Sequence, residues 1–502
     1  MAASFARDRR ISQQLAVEPV DTFAPNGSYE TLVLSDIHLS DAHPVDKRGP
    51  LWMAYKRSEF FVDEDFRRLL DHFDDESDGP CEVVLNGDIF DFDNITRLPD
   101  GPPGPIDWLA RLRGLASEEW MSLFKIDCII DDHPIFFEAL SRFVQRGNRA
   151  VFVIGNHDLE LHWPRVQDRI FRALALPPVA WSRLLFCNWF FTSGDDTYIS
   201  HGNQYDPYCV ARDPIDPLVL MFGRPRVRIP FGDLAERYML NGMGYFNPHA
   251  TSNYIMSAGK YVRFFLKYML RTQPLLVWTW FWSALVTLGM TLWEHWRPPM
   301  RDPLLVDEKV QAIADRSHAT PSIVRKLNAL NVPSASANPF KLMRELWLDR
   351  GLFFLGVVYG AFQLVLTVNF VLPISAWWVL VPLGLLFPVF LHYSFRVVPG
   401  VFAEPLLDEA RADLIARITG ARYVIFGHTH IPEMRQIGPV MYANCGFWSP
   451  AFAEPECQQR IGTQTYARLR PTEDGARRLE LWEWPPGGTE PVPFMPETPA
   501  VI

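Results

Sequence analysis

Short, mostly apolar runs that stop on Asp, Asn or His recur five times along the chain. Residues 31–34 lead to Asp36 and His38, 82–85 to Asn86-Gly87-Asp88, and 150–154 to Gly155-Asn156-His157-Asp158. Residues 197–199 lead to Ser200-His201, and 423–426 to Gly427-His428-Thr429-His430. Runs of this length, bounded by turn residues, predict buried strands. Between them, 60–73 and 134–146 carry apolar residues at spacings of three and four, which predict helices. Strands alternating with helices predict an α/β core, where ligands bind beyond the carboxyl ends of strands. Residues 479–484 alternate apolar and acidic positions and predict a last strand.

Three regions break this rhythm. Residues 99–133 open on a Pro/Gly loop and read as an irregular insertion. Residues 274–293 are apolar and uncharged, and so are 351–393, interrupted by Pro373. A membrane-crossing helix needs about 20 apolar residues. Pro373 leaves two halves, 352–372 and 374–392, each long enough to cross. Arg350 and Arg396 flank the pair, which places both ends on the positive, cytoplasmic side.

Parity limits the crossings. His201 precedes all three segments, while His428 and His430 follow them. If these histidines share a site, the number of crossings between them is even. Residues 294–350 carry Lys or Arg at 297, 301, 309, 316, 325, 326, 341, 344 and 350, a poor composition for an external loop. The expected arrangement is a hairpin over 352–372 and 374–392, with 274–293 as an interfacial or re-entrant helix rich in tryptophan. Lys260, Arg263, Lys267 and Arg271 among aromatics suggest an amphipathic approach to anionic head groups. Shallow insertion of all three segments satisfies parity too, and burial in a soluble dimer is the bland alternative. The domain plan is a leader over 1–28, a first core part over 29–255, an inserted membrane region over 256–400, a second core part over 401–484 and a loose tail over 485–502.

A net charge of -10 argues against a nucleic-acid partner held by bulk positive charge. The six cysteines form no CxxC pair, which fits free thiols in a reducing compartment. The lipid bilayer is the expected partner; oligomeric state stays open.

The chemistry lies at the strand ends. Asp36-x-His38 and His428-x-His430 have i, i+2 spacing, which on extended chain sends both side chains to one side. Mixed carboxylate, amide and imidazole ligands without thiolate suit two divalent ions, manganese foremost, with iron, zinc, cobalt or nickel as alternatives. A pair sharing a carboxylate activates a bridging water and clamps phosphoryl oxygens.

The string D-x-H, G-D, G-N-H-D, H, G-H-T-H resembles the calcineurin-like metallophosphoesterase family. The resemblance implies a sandwich of two mixed sheets flanked by helices. It implies a first metal held by Asp36, His38 and His430, a second held by Asn156, His201 and His428, and Asp88 bridging both. His157 would act as general acid or transition-state stabiliser, oriented by Asp158. Asn203 and Asp206 are weaker candidates for substrate contact; an ordinary turn explains them equally well. Asp91 and Asp93 read as loop or supporting residues, and Asn444 as structural. Within the superfamily the motifs are similar to the UDP-2,3-diacylglucosamine diphosphatase group, with His157 where that group usually carries Arg. The expected activity is hydrolysis of a phosphoester or pyrophosphate, with an amphiphilic, lipid-linked substrate first. A membrane-anchored phosphatase of soluble substrates such as nucleotides, and a non-catalytic membrane scaffold, are the alternatives.

Overall fold

The protein is described from a computed structural model covering residues 29–42, 51–249, 263–270, 276–396, 400, 405–473 and 475–494. The expected leader over 1–28, and Lys260 and Arg271, lie outside these residues.

Sixteen short strands are present among the described residues: β1 (Thr31–Leu34), β2 (Glu82–Asn86), β3 (Arg149–Val153), β4 (Leu184–Cys187), β5 (Phe190–Ser193), β6 (Thr197–Ser200), β7 (Leu218–Met221), β8 (Arg224–Val227), β9 (Tyr423–Phe426), β10 (Glu433–Ile437), β11 (Val440–Asn444), β12 (Ala451–Phe452), β13 (Arg460–Ile461), β14 (Gln464–Pro471), β15 (Arg477–Trp484) and β16 (Val492–Pro493). A seven-stranded sheet runs β16-β15-β14-β1-β2-β3-β4, and a five-stranded sheet runs β10-β11-β9-β6-β5. Both are mixed. β1 to β4 are mutually parallel, as are β6, β9 and β11, while the flanking strands are antiparallel.

Alternation within the strands builds the sandwich. Val33, Val84 and Val151 point inward against Phe191, Ile199, Ile425 and Ala443 of the other sheet. Their neighbours Leu32, Leu34, Val83 and Phe152 point outward, beneath helices Asp63–Glu76, Glu119–Asp132, Pro134–Gln145 and Pro164–Ala173. Successive side chains on a strand face opposite ways, so a run apolar at every position buries both faces. The outer face of the five-stranded sheet is covered by helices Val306–Arg316, Pro321–Asn328 and Glu409–Thr419.

Several sequence expectations are corrected here. Residues 99–133 are not irregular: they hold helices Trp108–Arg113 and Glu119–Asp132, the first capped by the Asp107 carboxylate accepting from Ala110 N. The charged stretch inside the expected membrane region supplies a sheet-covering layer, because Val310, Ile313, Val324 and Leu327 fall on one apolar face. Of the expected amphipathic stretch, Phe264 and Met269 are buried with Phe246 and Lys267 pairs with Glu456 at 3.2 Å, while Arg263, Leu266 and Leu270 are exposed. Within the expected loose tail, β16 pairs with β15.

Helix Leu276–His295 lies along the domain. Its small residues Ser283, Ala284 and Thr287 are buried, and Glu294 accepts from Ile229 N at 3.0 Å. Its other face exposes Trp278, Trp282, Leu285 and Trp293. The apolar hairpin is helix Leu348–Val371 and helix Leu380–Arg396, joined through a short turn at Ala376–Val379. Two stretches, Leu348–Val371 and Ala376–Ser394, are long and apolar enough to cross a membrane, and their most apolar windows are only 6% and 0% buried. Phe390 packs against Phe353 and Phe354 between them. At the base, Tyr393 donates to Asp349 at 2.7 Å and Gly400 N to Glu345 at 2.8 Å, so the hairpin leaves the domain and returns at one place.

Candidate metal centre

The carboxyl ends of β1, β2 and β3 in one sheet and of β6 and β9 in the other converge on a single buried site. Each strand stops and the chain turns sharply. Asp36, His38, Asp88, His428 and His430 all have φ between 52° and 69°, five of the eleven non-glycine residues with positive φ among those described. This region is costly for most side chains and tolerated best by residues such as Asn, Asp and His. Strain of this kind persists only where surrounding structure fixes it. Here Asp36 N donates to Gly87 O at 3.1 Å and His38 N to Asp88 O at 2.9 Å, clamping the first two loops together. Two glycines permit the close approach. A Cβ on Gly87 would lie 2.5 Å from the His201 ring, and one on Gly427 would lie 2.5 Å from Asp36 Oδ2.

The seven expected ligand residues are brought together. Asp36 Oδ1 lies 3.1 Å from His430 Nε2 and 3.9 Å from His38 Nε2, and the two imidazole nitrogens are 3.4 Å apart. Asp88 Oδ2 lies 2.9 Å from His201 Nε2, whose ring meets that of His428 edge-on. Asp36, His38 and His430 form one group able to hold a cation, and Asp88, His201 and His428 form another. Asn156 sits beside them, donating its amide to Asp233 at 3.0 Å. Asp36 Oδ1, Asn156 Oδ1 and His201 Nε2 are buried without a hydrogen-bond partner. Buried polar groups are rarely left so. Converging oxygen and imidazole atoms lacking partners fit divalent cations, which would satisfy all of them.

Second contacts orient the set. His201 Nδ1 bonds the Asn86 carbonyl at 2.9 Å, leaving Nε2 for the site. Asn444 donates to Gly427 O at 2.6 Å and pins the loop carrying His428 and His430. Burial would raise the Asp88 carboxyl, yet His201 and His157 hold it well below its usual range. Burial would depress His201, yet Asp88 and Asp36 lift it to about 9.

His157 sits at the edge of the cluster, its side chain 15% exposed. Its Nδ1 faces Glu236 at 3.4 Å and Asp91 and Asp233 at 3.6 Å. Burial disfavours its charge, but Asp233, Glu236 and Asp88 outweigh this and hold it well above the ordinary imidazole value. The expected orienting role of Asp158 is not met. Both its oxygens are taken by backbone amides, Gly155 N at 2.6 Å and Ile89 N at 3.0 Å, so it ties the β2 and β3 loops together. Asn203 is buried and its amide donates to Cys209 O at 3.2 Å, which holds the turn after His201. Asp206 is turned toward His428 Nε2 at 2.9 Å and stands as that histidine's neighbour.

Four further residues line the site. Asp91 faces His38 at 3.8 Å as well as His157, and faces His249 Nε2 at 3.7 Å. His249, Asp233 and Glu236 do not follow strands, so the strand-end pattern could not reveal them. The i, i+3 spacing of Asp233 and Glu236 does place both on one helix face, which was the available signal.

This is a mixed two-sheet sandwich with a carboxylate–imidazole metal centre at its strand ends, the architecture of a metal-dependent phosphoesterase. Residues 29–227 match the calcineurin-like phosphoesterase family, and the chain carries that domain and is a hydrolase of phosphoric esters. His428 and His430 lie beyond the matched residues and complete the centre through the fold. No curated protein gives a significant match to the sequence.

Proposed function

We propose that this chain is a two-metal phosphoester or pyrophosphate hydrolase working at a membrane on a lipid-linked phosphate. Asp36, His38 and His430 would hold one cation, Asn156, His201 and His428 the other, and Asp88 would bridge them; the mixed donors suit manganese, iron, zinc, cobalt or nickel. Two such ions supply a water of lowered pKa and charge stabilisation for the phosphoryl oxygens. The chain's own residues do the rest. Asp36, Asp88 and His201 form a floor with almost no exposure, while His157, His428 and His430 are 15%, 10% and 13% exposed at the mouth. A phosphate enters past these imidazoles. His157, whose Nδ1 faces Glu236, Asp91 and Asp233, would turn Nε2 to the leaving-group oxygen as general acid or transition-state stabiliser.

One observation supports the membrane half of this reading. The exposed apolar hairpin is rooted in the layer that supports the metal centre. Trp280 packs near Gly351 at the hairpin's start, and helix Leu276–His295 packs in turn on Phe231, two residues before Asp233. The same helix shows an outward aromatic strip, with Trp108 against Trp282 and Phe222 stacked on Trp293 at 5.5 Å. Exposed tryptophans beside apolar helices suit the bilayer interface. The lysines and arginines between the apolar segments favour the cytoplasmic side for the catalytic domain. A polar phosphate at the centre with its tail toward the hairpin then describes an amphiphilic substrate. A UDP-linked diacyl sugar is one candidate; His157 in place of Arg keeps other lipid pyrophosphates and phosphates equally in play.

The test is release of phosphate or nucleoside monophosphate by the full chain in liposomes with added manganese, from lipid phosphates, lipid pyrophosphates and soluble nucleotides. Preferred turnover of lipid substrates, abolished by Asp88→Asn, is expected. Comparable turnover of soluble and lipid substrates would instead favour an anchored phosphatase of soluble molecules. No metal-dependent turnover of any member would count against the enzyme reading as a whole.

A further inference from the structure

Asn156 can offer either end of its amide to a cation, but only the oxygen binds one. A carboxamide presents two N–H donors at one end and an acceptor at the other, and rotation about one bond exchanges them. In this protein Asn156 Nδ2 donates to Asp233 Oδ1 at 3.0 Å, and Asn156 Oδ1 is left buried with no donor. The flipped amide would set oxygen against carboxylate, so the contact selects one orientation. Asp233 is fully buried on helix Phe231–Ala235, and its second oxygen also lacks a hydrogen-bond partner. The chain then widens into a π-helical turn, Glu236–Leu240, whose first residue faces His157. Such widened turns often accompany functional sites. Asp233 and Glu236 follow the residues that match the family, and no strand delivers them.

We propose that Asp233 is a positioning residue for the second metal, locking the Asn156 amide with its oxygen turned to the cation. This rests on the reading of Asn156 as a ligand. The segment 231–243 is then a support added behind the metal loops. It reaches the centre from the same layer that carries helix Leu276–His295, for Arg113 Nη2 donates to Ser283 Oγ at 3.3 Å and Asn241 donates to Arg113 O at 3.1 Å. Partners of this kind typically change metal affinity by about ten- to a hundredfold when removed.

Manganese titration of the detergent-held full chain, read by the electron paramagnetic resonance signal of free ion, tests this without reference to turnover. Wild type is expected to take two ions. Asp233→Ala should weaken one of them by about tenfold or more and spare the other. Asp233→Asn should recover most of that loss, because its side-chain oxygen can accept the same hydrogen bond. Full two-ion affinity in a folded Asp233→Ala protein overturns the proposal, and so does an Asn variant as weak as the Ala variant. Should Asp233→Ala fail to fold, the exchange of Asn156→Asp with Asp233→Asn replaces it. The exchanged pair must bind manganese more tightly than Asn156→Asp alone, which sets two carboxylates face to face; equal or weaker binding overturns the proposal. Asn156→Ala separates the two levels. Two ions bound as in wild type would remove Asn156 as a ligand. Loss of one ion in Asn156→Ala beside an unaffected Asp233→Ala would remove only the positioning role.

Discussion

His201 Nε2 lies 2.9 Å from Asp88 Oδ2, and this contact joins the end of β6 in the five-stranded sheet to the end of β2 in the seven-stranded sheet. Neither residue has a fixed place relative to the other until the two sheets pack. The site is therefore a product of the sandwich, and disturbing it should be read through metal as well as through rate.

Asp88→Asn keeps the size of the side chain and the tolerance of a left-handed backbone at φ 53°. The fold should persist. Losing the bridging charge should lower metal-dependent hydrolysis by about a hundredfold or more. Metal content by mass spectrometry, measured with thermal unfolding, checks this; full loading with wild-type rate would remove Asp88 from the centre.

For His157→Ala the expectation differs. Hydrolysis should fall by about 10² to 10⁴ while both metals stay bound, since general acid–base groups contribute in that range. A substrate with a good leaving group, such as a nitrophenyl ester, should lose less than one with an alkoxide leaving group. An equal loss on both would speak against proton delivery to the leaving oxygen.

Glu294 makes stability depend on pH. Burial is the main reason its carboxyl is raised from 4.5 to about 7, against the Ile229 amide and nearby arginines. Below pH 4.5 the group is protonated in both folded and unfolded chain. Between there and about pH 7 only the folded state keeps the proton, so stability falls as pH rises, by about 3 kcal/mol across the window. Glu294→Gln can still accept from Ile229 N and carries no charge. Its melting temperature should exceed that of wild type at pH 8 and match it at pH 4.5. A variant less stable than wild type at pH 8 would contradict the sign.

Phe362 stands exposed near the middle of helix Leu348–Val371. If that helix crosses a bilayer, Phe362→Arg costs about 2.5 to 3.5 kcal/mol of insertion, whereas Phe362→Leu costs little. The carbonate-resistant membrane fraction should drop for Arg alone. Equal fractions for both variants would argue for a hairpin held by protein.

The strand-end residues were legible early because a run of apolar residues cut off by Asp, Asn or His is a local pattern, and β1, β2, β3, β6 and β9 all appear where that pattern stands. The layer over the five-stranded sheet was harder to see. Residues 306–328 carry enough charge to read as an inner-side connection between apolar segments, yet Val310, Ile313, Val324 and Leu327 need only one narrow face to pack on the sheet. The role of Asp158 was misjudged for a related reason. The family resemblance implies contact with His157, but a tight loop turns neighbouring side chains apart, and Asp158 accepts from the amides of Gly155 and Ile89.

Taken alone, then, the order of residues determined the chemistry: which side chains can bind a cation, which strands present them, and which stretches are too apolar for water. Those are consequences of side-chain type and short-range periodicity. Packing decided what partners each group meets. That Asp233 holds Asn156, that Glu236 and Asp91 face His157, and that His249 reaches Asp91 depend on elements far apart in the chain. Such contacts arise from the buried volume left between two sheets and their covering helices, which no local pattern encodes.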